Sequence, residues 1–442
     1  MPSPMVSPPT TSPPATSSRR VASSFVLGLA CRRCSRAEEM DLAYVCRACF
    51  GPLEVVYDYA RIAATIDRES IGSRPPGIWR YRELLPLHDL PTKGLTVGST
   101  PLVCADRLAP TLGLDRLWIK DDTRNPSLSF KDRPVAIAAA RAHAWQLAAL
   151  ACASTGNLAG ATALAAAVLG MPAYVFVPAD LEPAKLHQAV AFGATVVPLQ
   201  GTYDDVNRVC IELADETGWG FVNINLRPFY AEGSRTLAFE IAEQLGWRSP
   251  DVVVAPIASG ALFTKLGRGF DELAAVGLIE RKAIRFVGGQ AEGCAPVANA
   301  CDHGTEAVTP VKEPDTFVRS LAIGSPADGA HAVRLAMATG GSVEAVSDIE
   351  TARAIRAVAG LEGIYPETAG GVTLAAAAAA RRRGVIHDGD EVVALLTGNG
   401  LKTPDAVNLG QTGRRVRPGE PGLAAALPAS FGPVATWLEG GT

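Results

Sequence analysis

Several familiar signatures are missing from this chain of 442 residues, and each absence removes a class of function. No G-x-G-x-x-G follows a strand-like run and no G-x-x-x-x-G-K-[ST] occurs, so a dinucleotide fold and a phosphate-loop nucleotidase lack their fingerprints. There is no G-x-S-x-G elbow and no H-E-x-x-H. The six histidines, His88, His143, His187, His303, His331 and His387, are scattered, and neither a histidine triad nor a mononuclear catalytic metal site is visible. Positive charge is not in excess: 41 Lys and Arg face 45 Asp and Glu, which argues against nucleic acid or an anionic membrane as the main partner. Nine cysteines are far too few for a disulfide scaffold. Charge itself is absent from Ala144 to Ala179, long enough to span a bilayer if it were one helix. Ser154-Thr-Gly-Asn157, Gly170 and Pro172 interrupt it, so it reads as strand, turn, helix and strand of a buried core.

What is present is a soluble globular composition, 48% hydrophobic with 43 glycines and 32 prolines, long enough for two or three domains. Residues 1–24 are mostly Pro, Ser, Thr and Ala, and are expected to be a disordered tail. A targeting peptide is the alternative, disfavoured by the early prolines and the lack of an apolar run. Residues 411–442 read as a second tail. Between them, a cysteine module at 25–60 precedes a larger α/β region at 61–410. Strands are expected at 173–177, 195–199, 221–225, 251–256, 284–288 and 391–397, and helices at 158–169, 182–192, 203–217, 234–245 and 262–276. Such alternation implies parallel sheets, whose ligands gather at the carboxyl ends of strands.

One lysine has an unusual setting. Lys131, in Ser129-Phe-Lys-Asp-Arg133, stands just before an Ala-rich helix beside Phe130. It reads either as a surface charge or as an amine whose pKa is lowered by the helix dipole and apolar surface, which a Schiff-base lysine needs. Three polar loops follow strands. Ser154-Thr155-Gly-Asn157 opens a helix and can hold a carboxylate or donate to a phenolate-like oxygen, or serve as a plain N-cap. Ala258-Ser259-Gly260-Ala261-Leu262 can cradle a phosphate with backbone amides. Leu396-Thr-Gly-Asn-Gly-Leu-Lys402 ends the last strong strand. Together around one amine they describe a pocket for pyridoxal phosphate.

At these residues the chain resembles the threonine synthases, in the tryptophan-synthase-β-like, fold type II group of pyridoxal-phosphate enzymes. The matching pieces run in the family's order: Gly98-Ser-Thr-Pro-Leu102, Ser129–Arg133, Ser154–Asn157, Glu232-Gly-Ser-Arg-Thr-Leu237, Pro256–Phe270, Gln290-Ala-Glu-Gly-Cys294, Glu367-Thr-Ala-Gly-Gly371 and Thr397–Lys402. The resemblance implies two α/β lobes, the smaller inserted at about 130–235, and a carbon–oxygen lyase acting on O-phospho-L-homoserine. It makes Lys131 the Schiff-base lysine and proton shuttle, flanked by Phe130. Asn157 looks like the partner of the pyridoxal 3′-oxygen, residues 258–262 like the phosphate loop, and Thr397 like the partner of the pyridine nitrogen. Ser154 and Thr155 become substrate contacts, and Arg133, Lys185 and Arg227 are candidates for the substrate phosphate by nearness in sequence. Where some family members carry Thr after Ser-Thr-Gly-Asn, this chain has Leu158.

Cys31-x-x-Cys34 and Cys46-x-x-Cys49 are spaced as a four-thiolate zinc ribbon, with a redox pair or two disulfides as alternatives. A closed four-thiolate site is structural, and 31–58 resembles the module in front of many threonine synthases. Cys104, Cys152, Cys210, Cys294 and Cys301 are expected to be buried packing residues. The family reading implies a cytoplasmic homodimer. Its rivals are a threonine dehydratase, a cysteate-synthase-like β-replacement enzyme, and a catalytically inactive zinc-ribbon binding protein.

Overall fold

The structure, a computed structural model, describes residues 25–87, 95–154, 156–181 and 183–407. The two expected tails, His88, Thr155 and Glu182 lie outside these residues. Among the described residues thirteen strands form three sheets. β1 (Val26–Cys31), β2 (Ala37–Glu38) and β3 (Leu53–Tyr57) make a small antiparallel sheet in the order β2-β1-β3. β4 (Leu102–Cys104), β5 (Arg116–Asp121), β10 (Val252–Pro256), β11 (Arg285–Ala291), β12 (Ser342–Val346) and β13 (Glu391–Leu396) make a six-stranded sheet in the order β12-β11-β10-β13-β5-β4. It is parallel except for the edge pair β4–β5. β6 (Leu150–Ala153), β7 (Ala173–Pro178), β8 (Thr195–Leu199) and β9 (Gly220–Phe221) make a four-stranded parallel sheet in the order β8-β7-β6-β9.

The charge-free stretch is accounted for by this second parallel sheet. All four residues of β6 are buried, the helix Asn157–Leu169 follows, and Gly170 closes that helix in the left-handed region at φ 68° before β7 begins. Among the described residues no helix is long and apolar enough to cross a membrane. Three sequence expectations need correction. The strand at 221–225 ends after Phe221, because Asn225 folds back: its Oδ1 accepts the Phe221 N–H at 2.8 Å and its Nδ2 donates to the Trp219 carbonyl at 2.8 Å. The helix at 182–192 is two pieces, a 3₁₀ turn Pro183–Leu186 and a short helix His187–Ala191. Cys104 is exposed, its thiol donating to Asp106 at 2.9 Å, while Cys152, Cys210 and Cys294 are buried and Cys301 is half-buried.

Two buried charge networks join the pieces. In the first, Arg133, on the helix Asp132–Ala144, is wholly enclosed. Its guanidinium meets Asp122 at 2.7 and 2.9 Å and Glu240 at 2.9 and 2.7 Å, while Lys120 of β5 reaches Glu240 at 2.8 Å. Gly98 is required here. It has φ +84°, and a Cβ would stand 2.3 Å from the Glu240 carboxylate. In the second, Arg235 is sealed between Glu232, Glu272 and Tyr57. Lys265 joins Glu232 at 2.9 Å to Glu54 of β3 at 3.0 Å, so the antiparallel sheet is tied to the larger α/β region through ions. Buried pairs of this kind contribute little over apolar packing, but removing one partner strands the other charge.

These networks make acid stability predictable. Burial works to raise the carboxyls of Glu240 and Glu54, but the cations around each outweigh it and hold both at about 2, against an ordinary 4.5. A depressed carboxylate pKa stabilises the fold above its ordinary value, and that contribution disappears as pH falls through the folded value. Urea unfolding should therefore show stability falling from pH 4.5 towards about 2. Glu240→Ala should lose about 3 kcal/mol at neutral pH and show a shallower acid fall; an unchanged acid profile would remove these pairs from the account.

Candidate active site

The sheet geometry decides which loops meet. β10 and β13 are adjacent and parallel, with Val254 opposite Ala394, so the chains leave the sheet side by side at Ile257 and Thr397. Thr397 then lies against the lysine segment. The Phe130 N–H donates to the Thr397 carbonyl at 2.8 Å, Ser129 bridges Gly398, and the Asn399 N–H reaches the Leu128 carbonyl at 3.0 Å. Lys131 is thereby placed at the start of the Asp132 helix, half-buried, with Nζ 3.1 Å from the Tyr230 hydroxyl and 5.0 Å from the centre of the Phe130 ring. Asp132 turns the other way. It accepts the Ser127 N–H at 2.6 Å, and burial pushes its carboxyl up to about 6 against the pull of that bond.

Asn157, the first residue of its helix, is brought to the same loop by Glu367. Its Nδ2 donates to both Glu367 oxygens, at 3.0 and 2.9 Å, and the Glu367 N–H donates to the Gly398 carbonyl at 2.8 Å. Glu367 is buried, which raises its carboxyl pKa against the Asn157 bond and the charges of Lys402 and Lys131. Both contacts of the Asn157 amide go to this carboxylate, so donating to a phenolate-like oxygen requires it to give up one of them. Ser154 is a local cap, its Oγ accepting N–H groups of Gly156 at 3.1 Å and Ala159 at 3.0 Å. The phosphate-loop candidate, residues 258–262, turns at Gly260 with φ +90° into the fifteen-residue helix Ala261–Ala275. The first N–H groups of a helix have no internal partner, so this end offers donors and a positive dipole to an anion.

This arrangement fits pyridoxal phosphate. An amine and an amide donor meet at the loop that begins with the hydroxyl residue Thr397, a helix start rich in N–H donors follows the adjacent strand β10, and a side chain is excluded where Gly260 meets the Asp328 carbonyl.

Among the phosphate candidates the structure corrects Arg133. Its guanidinium is spent on Asp122, Glu240, Thr100 and Thr236 and has no exposed surface, so it cannot receive a substrate phosphate. Arg227 remains partly exposed and pairs with Asp328 at 2.9 Å. Lys185 sits half-buried on the Pro183 turn. Three residues were missed in the sequence: Tyr230, Glu367 and Lys402. The last donates to Gln188 at 2.8 Å, and burial lowers its pKa against the carboxylates of Glu367 and Asp132. Glu367 and Lys402 lie at the ends of the Glu367–Gly371 and Thr397–Lys402 segments, where a charged residue beside a Gly-rich stretch is the available signal.

The four module cysteines also converge. Their sulfurs all lie within 4.8 Å of one another. They stand on two copies of one turn: the Ser35 N–H donates to the Cys31 carbonyl and the Phe50 N–H to the Cys46 carbonyl, at 2.9 and 3.0 Å, with Ser35 and Phe50 both in the left-handed region. N–H groups of Arg33 and Ala48 point at the Cys31 and Cys46 sulfurs, at 3.3 and 3.4 Å, and help to orient them. The group could hold a zinc ion, and its four soft donors and closed spacing fit a structural site.

With this geometry in place, comparisons with known proteins identify the class. A family model for pyridoxal-phosphate dependent enzymes matches residues 94–398, and the chain belongs to that family. Solved structures with the same fold include a processed threonine deaminase isoform from Solanum lycopersicum, with TM-score 0.59 and 22% identity over 74% of this chain and 86% of that one. Maize serine racemase aligns with TM-score 0.58 and 20% identity over 70% and 89%. Curated relatives narrow the class further. A threonine synthase from Methanocaldococcus jannaschii is 34% identical over 379 residues, 85% of this chain and 93% of the relative. One from Mycobacterium tuberculosis is 36% identical over 337 residues, 75% and 89%.

Zinc analysis of freshly purified, reduced protein should find about one equivalent per chain, and a Cys34→Ser, Cys49→Ser double variant should fall below about half an equivalent. Equal metal in both proteins would place it elsewhere.

Proposed function

We propose that the chain is a threonine synthase, converting O-phospho-L-homoserine and water to L-threonine and phosphate. The observation that carries this is the convergence of Lys131, Asn157 and Thr397 on one loop, in a chain whose curated relatives over most of its length are threonine synthases. Bound there, pyridoxal phosphate would supply the electron sink for charge developing at the substrate's α carbon. Lys131 takes the Cα proton and then a Cβ proton. Phosphate leaves from Cγ, which is then protonated; water adds at Cβ, and the lysine returns a proton to Cα. Tyr230, at 3.1 Å, holds the amine within reach of that path.

In this reading Asn157 would donate to the 3′-oxygen, Ala258, Ser259, Gly260, Ala261 and Leu262 would hold the cofactor phosphate, and Thr397 would serve the ring nitrogen. Ser154 shapes the Asn157 loop, as its two accepted N–H bonds support. Arg227 and Lys185 are our candidates for the departing phosphate. Lys402 joins them, because its amine bonds Gln188 on the helix that follows the Lys185 turn. The smaller lobe at about 130–235 carries the four-stranded sheet, and the same family reading makes the enzyme a cytoplasmic homodimer.

Incubation with O-phosphohomoserine should release phosphate and threonine in equal amounts, whereas O-phosphoserine with sulfite, and threonine alone, should give no cysteate and no 2-oxobutanoate. Either of those products as the main outcome would replace the reading with a neighbouring chemistry. Lys131→Ala should lower threonine formation by at least about 10³-fold while the chain stays folded; retained turnover would refute the role of Lys131.

A further inference from the structure

The cysteine module contributes no side chain to the lysine site, yet it grips the loop proposed to hold the cofactor phosphate. Arg32 lies between the ligand cysteines Cys31 and Cys34, and its own N–H is fixed to the Pro52 carbonyl at 2.9 Å. Its guanidinium meets Glu54 of β3 at 3.2 Å and, outside the module, Asp328 at 3.1 Å. Asp328 is buried, and its second oxygen takes Arg227 at 2.9 Å. Its backbone is the other half of the contact. The Asp328 N–H donates to the Ser259 carbonyl at 2.8 Å, and its carbonyl oxygen would stand 2.9 Å from a Cβ on Gly260. Asp328 thus buttresses the peptide from which the Ala261 helix starts. A second grip lies further along that helix, where Glu54 takes Lys265 at 3.0 Å and also pairs with Arg268.

We infer that the module is a clamp on the phosphate-binding loop, and that Arg32 is the positioning residue through which metal binding tightens cofactor binding. This rests on the reading of residues 258–262 as the cofactor phosphate loop. The physical basis is preorganisation. A helix start binds an anion well only while its N–H groups converge, and ordering a loose loop at the moment of binding costs affinity. With a metal on its four sulfurs the Arg32 turn is closed, so the Arg32–Asp328 pair forms without ordering the turn anew. Without it, Arg32 moves freely, Asp328 keeps only Arg227, and the 259–260 peptide loses one support. Linkage requires the effect to be reciprocal, so bound cofactor must retain the metal more tightly by the same factor.

The test uses full-length protein, stripped of pyridoxal phosphate and titrated back while absorbance and fluorescence report binding. Wild type, Arg32→Ala, Arg32→Lys and Arg36→Ala are each compared zinc-loaded and after chelation under reducing conditions. Zinc removal should weaken wild-type cofactor affinity about tenfold, a coupling of ordinary size. Zinc-loaded Arg32→Ala should show the same loss, with little further change on chelation. Arg32→Lys should recover part of the affinity, and Arg36→Ala, an exposed arginine of the same module, should match wild type. The inference fails if zinc-loaded Arg32→Ala binds the cofactor as wild type does, or if chelation costs wild type and Arg32→Ala the same factor. If the zinc-free proteins precipitate, the zinc-loaded Arg32→Ala comparison decides alone. Wild type that takes up no pyridoxal phosphate overturns the cofactor reading itself, an outcome distinct from a failure at Arg32.

Discussion

The wholly buried guanidinium of Arg133, held between Asp122 and Glu240, fixes the geometry on which the site depends. A charge with no exposed surface is tolerable only while its partners stay in place, so the Asp132 helix can settle on β5 in one way. Lys131 stands two residues before Arg133, and its position follows from that docking. Neighbouring pieces serve the same constraint. Thr100 donates to Asp122 at 2.7 Å, and the Ser99 N–H donates to Glu240 at 2.7 Å. Gly233 lets the Arg227–Gly233 helix approach so closely that a Cβ there would stand 2.3 Å from the Arg133 carbonyl. Residues of the Gly98–Leu102 and Glu232–Leu237 segments therefore help to hold the lysine's helix.

Once the helix is fixed, the parallel sheets deliver the rest. Adjacent strands β10 and β13 end together, one opening into residues 258–262 and the other into the loop that pairs with the lysine segment. The four-stranded sheet adds Asn157 from the end of β6, and the Asn157–Glu367 contact joins it to that loop. The antiparallel sheet reaches the start and the body of the Ala261 helix through charged side chains. Pyridoxal phosphate is the group for which such a set of donors is suited, and its chemistry leaves the chain to place one amine and shield it.

Much of this was legible beforehand because it rests on local signals. Val-rich runs bounded by Gly or Pro became β7, β8, β10 and β13, and the spacing of four cysteines became two matching turns. Arg133 was misread for a geometric reason. Residues two apart on a helix point to different faces, so closeness to Lys131 in sequence says nothing about sharing its pocket. The Phe221–Asn225 run had strand composition, but one asparagine side chain bonding its own backbone turned it away. Tyr230 comes 99 residues after Lys131, and only the packing of two helices brings them together.

The central claim is that one amine, placed by the Arg133 cluster, carries the chemistry. Lys120, buried, and Lys402, half-buried, make that claim testable, since desolvation lowers the pKa of both although nearby carboxylates oppose it. Borohydride reduction of the cofactor-loaded protein, followed by peptide mapping, fixes the cofactor to whichever lysine holds it. The account predicts a single pyridoxyl group on Lys131. A label on Lys402 or Lys120, or no label on a protein that forms threonine, would contradict it.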